Sequence, residues 1–249
     1  YTVQIADTLW MHKDYDKTIF KQIADSPVKP NQGYVYSDLH YYTYPRFVPL
    51  LTGKPWDAYL KETYHALGAN SLTYNPLLVH DKTKIVPTEK DELFRKTQIY
   101  GRVHDEGAGM LNGISGHAGL FGNANDLMKL MQMYLQNGSY GGQQFIKPGV
   151  IKEATSYQFD PKENRRAIAF DKLHPNKDIA NGPQGASPES FGHSGYTGTF
   201  TWIDPATNSV YVFLSNRVYP TRDNNKISKM NIRTEVGNQL YRTIGEGMK

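Results

Sequence analysis

The stretch Phe191-Gly192-His193-Ser194-Gly195-Tyr196-Thr197-Gly198-Thr199 leads directly into a predicted β-hairpin. Residues 199–203 alternate between polar and apolar, residues 204–208 contain turn formers, and residues 209–215 are almost continuously apolar. This order predicts two antiparallel strands joined by a turn. Because the second strand is apolar on both faces, we expect helices against each side of the sheet, and residues 226–244 have the apolar spacing of one such helix.

Within this stretch, His193 is the first candidate catalytic residue. Gly192 and Gly195 flank it, and glycine suits a position where the backbone approaches a ligand closely. The imidazole can donate a hydrogen bond to a carboxylate or a carbonyl, and its protonated form is a cation that would lower the pKa of a nearby tyrosine. The alternative interpretation is a surface histidine at the end of a strand.

Composition limits the class of protein. The 249 residues include 28 Lys and Arg against 24 Asp and Glu, which gives a net charge of +4. These charges are interspersed and form no basic run, so we expect no nucleic-acid partner. The chain has no cysteine, which excludes disulfides and thiolate metal sites. It has neither an apolar run of the roughly 20 residues that span a membrane nor a signal peptide. We therefore expect a processed chain or part of a longer protein.

We predict one domain over residues 1–249, built from two lobes. Residues 1–140 are expected to form a mainly helical lobe with long loops, and residues 141–249 a sheet-and-helix lobe. Apolar spacing predicts a helix over residues 52–67 that Gly68 ends, and another over residues 124–135 that Asn123 caps. Residues 75–116 show little periodicity and are predicted to form a long loop.

A second motif, Tyr36-Ser37-Asp38, lies far upstream in a tyrosine-rich segment. A tyrosine near an electropositive group loses its proton below its reference pKa of about 10, so Tyr36 can act as a general base. Asp38 can orient a lysine or a substrate amide. Taken alone, Tyr36 also fits a buried core aromatic and Asp38 a helix N-cap, and both structural alternatives stay open.

A metal site is a further alternative, because four residues have the side chains of metal ligands: His104, Asp105, Glu106 and His117. Adjacent residues on one strand or loop point in different directions, and the chain has no His-Glu-x-x-His spacing. We therefore predict no metal and no other cofactor, and we expect His117 to shape the loop beneath the active site.

Together these motifs resemble those of the penicillin-recognising serine hydrolases, and the resemblance covers nearly all of the chain. That family has Ser-x-x-Lys, then Ser-x-Asn or Tyr-x-Asn, then Lys-Thr-Gly on an edge strand. Tyr36-Ser37-Asp38 resembles the second motif, with Asp38 in place of Asn, and His193-Ser194-Gly195 is similar to the His-Thr-Gly variant of the third. The resemblance implies an α/β (α+β) β-lactamase/DD-peptidase fold, with an antiparallel sheet flanked by helices and a mainly helical lobe.

The same resemblance implies the roles of the site residues. Tyr36, Asp38 and His193 are expected to be catalytic and to converge on one cleft. The substrate-binding residues are expected to be Ser194, Gly195, Tyr196 and Thr197. A backbone amide near Tyr196 or Thr197 is expected to complete an oxyanion hole.

The first motif of the family is not found at its usual distance. The one Ser-x-x-Lys, Ser26-Pro27-Val28-Lys29, is proline-rich and lies ten residues before Tyr36, too few to build part of a helical lobe. We therefore expect the fold to be incomplete at its N-terminus, with the nucleophile and the first strands in a missing N-terminal segment of the same protein. We also expect this segment, or a second copy of the chain, to pair along residues 209–215, because an unpaired apolar edge attracts another strand.

The expected function is acyl transfer on an amide or ester by a serine hydrolase, with this chain inactive alone. A β-lactam, a D-amino-acid peptide from peptidoglycan and a simple ester all fit as small-molecule substrates. The chain is also similar to β-lactamase-related domains that follow a family 3 glycosidase domain in bacterial envelope proteins. That similarity implies a periplasmic or cell-envelope location and a glycosidase domain in the parent chain. The alternative is a non-catalytic binding or structural domain attached to that glycosidase.

Overall fold

A computed structural model describes residues 1–28, 33–176, 179 and 181–247. Lys29 of the Ser26-Pro27-Val28-Lys29 stretch lies outside the described residues. The chain divides into two units: the first comprises Tyr1–Ala66, Asn70–Gly122 and Val218–Asp223, and the second comprises Leu67–Ala69, Asn123–Arg217 and Asn224–Lys249. Three segments fall outside the expected lobe boundaries: residues 67–69 and 123–140 belong to the second unit, and residues 218–223 belong to the first.

The first unit combines short helices with two-stranded antiparallel sheets. Its elements are β1 (Val3–Ala6), β2 (Leu9–Met11), α1 (Tyr15–Ala24), α2 (Tyr44–Thr52), α3 (Trp56–Ala66), β3 (Thr73–Tyr74), β4 (Pro87–Asp91), β5 (Thr97–Tyr100), α4 (Glu106–Met110) and β6 (Leu120–Phe121). The strands pair as β1–β2, β3–β6 and β4–β5. The predicted helix before Gly68 is confirmed as α3, and Gly68 follows it with a φ of 69°.

The hairpin β4–β5 corrects the prediction of a long loop over residues 75–116. Asp91, at the end of β4, accepts hydrogen bonds from the three backbone N–H groups of residues 93–95 and from Arg95 Nε at 2.9 Å. Arg95 also donates to the carbonyl oxygens of Val103 and His104. Both side chains of this ion pair are 0% exposed. Periodicity missed the hairpin because the buried residues that fix it are charged.

A second ionic network ties residues 218–223 to the same hairpin. Arg222 donates from Nε and Nη2 to the two carboxylate oxygens of Glu89, at 2.6 and 2.7 Å, and from Nη1 to Glu106 at 2.7 Å. The planar guanidinium matches the two oxygens of a carboxylate. The hydrogen bonds to Glu89 raise the pKa of Arg222, while burial lowers the pKa of His104, whose Nε2 lies 3.2 Å from Glu89.

The second unit is built around a four-stranded antiparallel sheet. Its elements are α5 (Ala124–Leu135), β7 (Ser139–Tyr140), β8 (Gln143–Gln144), α6 (Pro148–Ala154), β9 (Asp171–Lys172), β10 (Phe191–Ser194), β11 (Phe200–Asp204), β12 (Ser209–Phe213), α7 (Lys226–Lys229) and α8 (Ile232–Gly247). The strand order is β12-β11-β10-β9, with Trp202 opposite Tyr211. The predicted hairpin is therefore confirmed. β12 is the end strand of this sheet within the described residues, and the partner strand expected along residues 209–215 stays a prediction.

Helices cover both faces of this sheet, as predicted. One face has a cluster packed against α8, formed by Phe200, Trp202, Tyr211 and Leu240. On the opposite face Phe191 contacts Phe170, and Phe170 contacts Tyr134 of α5, with ring centres 5.1 and 5.4 Å apart. Asn123 Oδ1 accepts from the backbone N–H of Asp126 at 2.9 Å, which confirms the predicted cap of α5. No helix in the described part of the chain is long and apolar enough to cross a membrane.

Candidate active site

The candidate substrate-binding turn follows β10 directly. The backbone N–H of Gly195 donates to the carbonyl of Thr199 at 2.8 Å, and that of Gly198 donates to the carbonyl of Gly195 at 3.0 Å. Gly198 has a φ of 110°, a conformation that favours glycine. A Cβ at Gly195 would lie 2.2 Å from Thr199 Oγ1, so a larger residue there would force the Thr199 side chain to shift. Tyr196, between them, is 61% exposed.

Three side chains from other segments of the second unit hold this turn. Arg217 Nε donates to the carbonyl of Tyr196 at 2.8 Å, its backbone N–H donates to the carbonyl of Thr197 at 2.9 Å, and its guanidinium lies 4.4 Å from the centre of the Tyr196 ring. Arg233 of α8 donates to the carbonyls of residues 195 and 199, at 3.2 and 3.3 Å. Ser215 Oγ donates to another carbonyl at 2.8 Å. The backbone of the turn is therefore fixed by contacts that do not depend on a ligand.

The contacts of His193 determine which ring nitrogen carries the proton. Nδ1 lies 2.8 Å from the carbonyl oxygen of Ser194, and Nε2 lies 2.9 Å from Nη1 of Arg166. A carbonyl only accepts and a guanidinium only donates, so Nδ1 is protonated and Nε2 accepts. In this arrangement both ring nitrogens of His193 have partners within the chain. The catalytic role expected for His193 stays a prediction.

Arg166 is a site residue that the sequence interpretation missed. Its Nε lies 3.0 Å from Asp171 Oδ1, and Arg165 Nη2 lies 3.4 Å from the same oxygen. Asp171 begins β9, the strand beside β10. The motif spacing gave no signal for Arg166, because it lies 27 residues before His193.

Tyr36 lies on the surface of the first unit, in a segment without regular structure. Its side chain is 59% exposed, so the core-aromatic alternative is wrong. Ser37 Oγ accepts from the backbone N–H of Leu39 at 3.2 Å, and the carbonyl of Asp38 accepts from that of Tyr41 at 2.9 Å. The 3₁₀ helix that follows, Tyr41–Thr43, begins without a side-chain cap, so the N-cap alternative for Asp38 is also wrong.

A hydrogen-bonded chain joins Ser115, His117 and Asp105 in the first unit. His117 Nδ1 lies 2.9 Å from Ser115 Oγ, and Nε2 lies 3.0 Å from Asp105 Oδ1. The order is that of a nucleophile, a base and a carboxylate, but Ser115 is 1% exposed, so its hydroxyl is closed to a substrate. The ring of Tyr42 lies 4.3 Å from that of His117, and its hydroxyl donates to Asp105.

These contacts join His117 to the start of α4 and to Ser115. That this segment lies beneath the active site stays a prediction. Burial acts to raise the pKa of Asp105, but the hydrogen bonds from His117 and from the backbone of Ala108 hold it below its usual value. Burial raises the pKa of Tyr42, and the nearby Asp105 raises it further. Among the described residues, no group of three or more His, Asp or Glu side chains is arranged to hold a metal ion.

A cavity of about 550 Å³ lies in the first unit, beside α1 and α2. Its walls include Met11, Phe20, Pro49, Trp56 and Ile114. Neither Tyr36 nor Asp38 lines it. We therefore do not assign this cavity to the candidate active site.

The predicted site residues are distributed over both units. Tyr36 and Asp38 belong to the first unit. The second unit holds His193, Ser194, Gly195, Tyr196 and Thr197. The structure thus brings the residues of the third motif together as one strand and turn. The convergence of Tyr36, Asp38 and His193 on one cleft stays a prediction.

The sequence also matches known proteins. The model of the β-lactamase family matches residues 1–230. The chain belongs to the β-lactamase family. This β-lactamase-family chain is 35% identical over 217 residues to an Escherichia coli K12 protein provisionally named D-alanyl-D-alanine carboxypeptidase, covering 81% of the chain and 49% of the relative. A Salmonella schwarzengrund protein with the same provisional name is 32% identical over 229 residues, covering 85% and 52%. The chain therefore spans about half the length of the curated relatives it matches.

Solved structures share the fold of this β-lactamase-family chain. A penicillin-binding protein homologue from Caulobacter crescentus has a TM-score of 0.57 at 21% identity, covering 82% of this chain and 58% of the other. Unliganded simvastatin synthase from Aspergillus terreus has a TM-score of 0.57 at 14% identity, covering 92% and 61%. The expected β-lactamase/DD-peptidase fold is thus confirmed, and at these identities the likeness concerns the fold alone.

Proposed function

We propose that this chain forms part of a serine hydrolase that transfers an acyl group from a peptide amide ending in D-alanine, or from a related ester or β-lactam, to water. The observation that carries the proposal is the turn after β10, which Arg217, Arg233 and Ser215 hold in place beside an anchored His193. A fixed backbone of this kind suits acyl transfer, because hydrogen-bond donors must already be in position when negative charge develops. Family membership and the names of the relatives support the reaction class.

In this proposal the turn binds the substrate next to the bond that breaks. The residues that contact it are Ser194, Gly195, Tyr196 and Thr197. The amide of Tyr196 or Thr197 supplies one donor of the oxyanion hole. Tyr36 acts as the general base, for which its 59% exposed side chain is accessible, and Asp38 orients a lysine or the substrate amide.

The nucleophile and its lysine are proposed to lie outside residues 1–249. Ser26 Oγ donates to the carbonyl of Ile23 at 2.6 Å, just after the end of α1, whereas the family's nucleophile begins a helix. Ser115 is buried and hydrogen-bonded to His117. Neither serine is therefore placed to attack a substrate, which supports a nucleophile contributed by an N-terminal segment of the same protein.

The proposed substrate class also indicates where in the cell the protein acts. A peptide ending in D-alanine is a component of peptidoglycan, so the periplasm or cell envelope is the proposed site of action. A glycosidase domain in the same protein is a further proposed partner. The alternative is a binding or structural domain that keeps the turn after β10 without catalysing a reaction.

The test is Tyr36→Phe in the full-length natural protein, assayed with a peptide ending in D-Ala-D-Ala and with an activated ester. Loss of a general base should lower kcat by about 10²- to 10⁴-fold. Tyr34→Phe, which removes the same hydroxyl two residues earlier, should leave kcat close to that of the wild type. Equal effects of the two variants would remove Tyr36 from the mechanism. A wild-type protein that hydrolyses neither substrate would support the non-catalytic alternative.

A further inference from the structure

The segment of residues 105–117 in the first unit encloses the side chain of Tyr42. The hydroxyl of Tyr42 donates to Asp105 Oδ1 at 3.4 Å, and its ring lies 4.3 Å from the ring of His117, with an angle of 36° between the two planes. A Cβ at Gly107 would lie 2.0 Å from the Tyr42 hydroxyl, so the glycine leaves room for it. Tyr42 is thus held between a carboxylate, an imidazole and a closely packed backbone.

Hydrogen bonds within the same segment fix the carboxylate and the imidazole. Asp105 Oδ1 accepts from the backbone N–H of Ala108 at 2.7 Å and lies 3.0 Å from His117 Nε2. Ser115 Oγ lies 2.9 Å from the other ring nitrogen. Against the effect of burial, the hydrogen bond from His117 keeps the pKa of Asp105 below its usual value, and burial raises the pKa of Tyr42. At neutral pH the acceptor is therefore charged, and the hydroxyl keeps the proton that it donates.

The enclosed tyrosine belongs to a short helix that contacts the end of the second motif. Tyr42 lies in the 3₁₀ helix Tyr41–Thr43, whose first backbone N–H donates to the carbonyl of Asp38 at 2.9 Å. The carbonyl of Tyr41 accepts from the N–H of Gly116 at 3.2 Å, and a Cβ at Gly116 would lie 2.6 Å from that carbonyl oxygen. The enclosing segment therefore holds this helix through its backbone as well as through a side chain.

The position of Tyr36 depends on contacts of this kind. Tyr36 lies within residues 33–38, which form neither a helix nor a strand, and the 3₁₀ helix is the regular element that follows them. A general base must lie within hydrogen-bond reach of the proton that it removes, and a misplacement of about 1 Å can lower the rate by about 10²-fold. Residues that fix the 3₁₀ helix can therefore affect catalysis without touching a substrate.

We propose that Asp105 and His117 are positioning residues for the general base Tyr36 and that they act through Tyr42. They hold the ring and the hydroxyl of Tyr42, which fixes the 3₁₀ helix, and the helix fixes the carbonyl of Asp38, two residues from Tyr36. The catalytic effect rests on the proposed function, but the ordering of residues 36–43 does not. The two parts are therefore tested separately.

The first test is hydrogen exchange of the full-length natural protein, followed by mass spectrometry of peptides that cover residues 36–43. His117→Leu removes the imidazole and both of its hydrogen bonds. We expect the hydrogen-bonded amides of residues 39, 41 and 43 to exchange at least about tenfold faster, because the loss of a hydrogen bond to a charged group makes local opening easier. His117→Gln, whose side-chain N–H can replace that of the ring, should restore part of the protection. The matched control is His65→Leu, which removes an exposed histidine of α3 and should leave these peptides unchanged.

A second variant keeps this test decisive if His117→Leu does not fold. Tyr42→Phe removes only the hydroxyl that donates to Asp105, and it should accelerate exchange by about 2- to 10-fold, the range of one ordinary hydrogen bond. Tyr44→Phe, which removes a hydroxyl at the start of α2, is its control. Exchange that His117→Leu leaves unchanged, or that the two tyrosine variants change equally, would overturn the positioning role. Neither result depends on whether the protein is an enzyme.

The second test measures kcat and KM of the full-length natural protein with an activated ester. His117→Leu should lower kcat by about 10- to 100-fold with a much smaller change in KM, because a displaced base slows the chemical step rather than substrate binding. In the Tyr36→Phe background, which has already lost the base, His117→Leu should cause no further fall in kcat. His65→Leu should leave both constants close to those of the wild type.

Two kinetic results would overturn the action through Tyr36. One is an equal fall in kcat in the wild-type and Tyr36→Phe backgrounds, which would show that His117→Leu impairs the protein independently of the base. The other is a rise in KM with kcat unchanged. A wild-type protein that does not hydrolyse the ester would contradict the proposed function instead, and the exchange experiment alone then decides whether Asp105 and His117 hold residues 36–43.

Discussion

Replacing Arg95 by methionine should destabilise the protein by several kcal/mol. Arg95→Met keeps much of the side-chain volume and removes hydrogen bonds to Asp91 at 2.9 Å and to the carbonyls of Val103 and His104 at 2.8 and 2.6 Å. The Asp91 carboxylate then lacks its cation in a site where both side chains are 0% exposed. Removal of one partner of a buried ion pair costs about 3–5 kcal/mol of unfolding free energy. A typical domain is stable by about 5–15 kcal/mol, so the loss should be large.

The measurement is urea unfolding followed by circular dichroism. Lys90→Met is the matched control, because it removes an exposed ion pair with Glu92 from the same hairpin and should leave the midpoint unchanged. The double variant Asp91→Asn/Arg95→Met should lose less unfolding free energy than the sum of the losses in the two single variants, because it leaves no unpaired charge. Arg95→Lys, which keeps the charge, replaces Arg95→Met if that variant does not fold. A loss below about 1 kcal/mol, the size of an ordinary substitution, would refute the role of the pair.

The remaining predictions concern acid, one glycine and the sheet edge. Burial acts to raise the pKa of Asp91, but hydrogen bonds from Arg95 and the backbone lower it to about 2, below the value of about 3.9 in an unfolded chain. The ionised Asp91 carboxylate therefore contributes fully to stability above about pH 4, and this contribution is lost as the pH falls towards 2. The urea midpoint of the wild type should fall over that range. The midpoint of Asp91→Asn should fall less steeply. In Gly192→Ala the new Cβ would lie 2.1 Å from a backbone oxygen of β11, which should cost about 1–3 kcal/mol, whereas Gly149→Ala in open space should cost nothing; equal unfolding curves would contradict this packing. If another strand pairs with β12, the amides of residues 209–213 should exchange hydrogen more slowly in the full-length natural protein than in this chain alone, and equal exchange would exclude that partner.

The elements that sequence alone predicted have local signals. The strands β11 and β12 alternate or run apolar on either side of a turn, and their pairing through Trp202 and Tyr211 needed no distant information. Helix α5 has its cap at Asn123 and its apolar stripe within one segment. Its assignment to the first lobe followed chain order, and the structure places it on the sheet because its apolar side faces β11 and β12.

The elements that sequence missed depend on buried charge and on distant partners. Hairpin β4–β5 buries Glu89 and Asp91, which a hydropathy pattern assigns to solvent. Glu89 is neutralised by Arg222, 133 residues further along the chain. No spacing rule connects residues that far apart, so the segment was predicted to be a loop.

The residues of the candidate site also divide into those that local sequence identified and those that it missed. The glycines of the turn after β10 were identified because their spacing is local. The arginines were not, because Arg166 and Arg233 lie 27 and 38 residues from their partners in the site. For Tyr36 the sequence allowed both a catalytic base and a buried core aromatic, since a tyrosine has an apolar ring and a polar hydroxyl. The structure excludes the second of these.

The most direct test of the proposed hydrolase is intact-mass spectrometry after exposure to a penicillin. We predict that residues 1–249 alone gain no covalent adduct. The full-length natural protein should gain one adduct, which peptide mapping places on a serine outside residues 1–249. An adduct on Ser26, Ser115 or any other serine of this chain would contradict the location of the nucleophile, and a full-length protein without any adduct would contradict the proposed hydrolase.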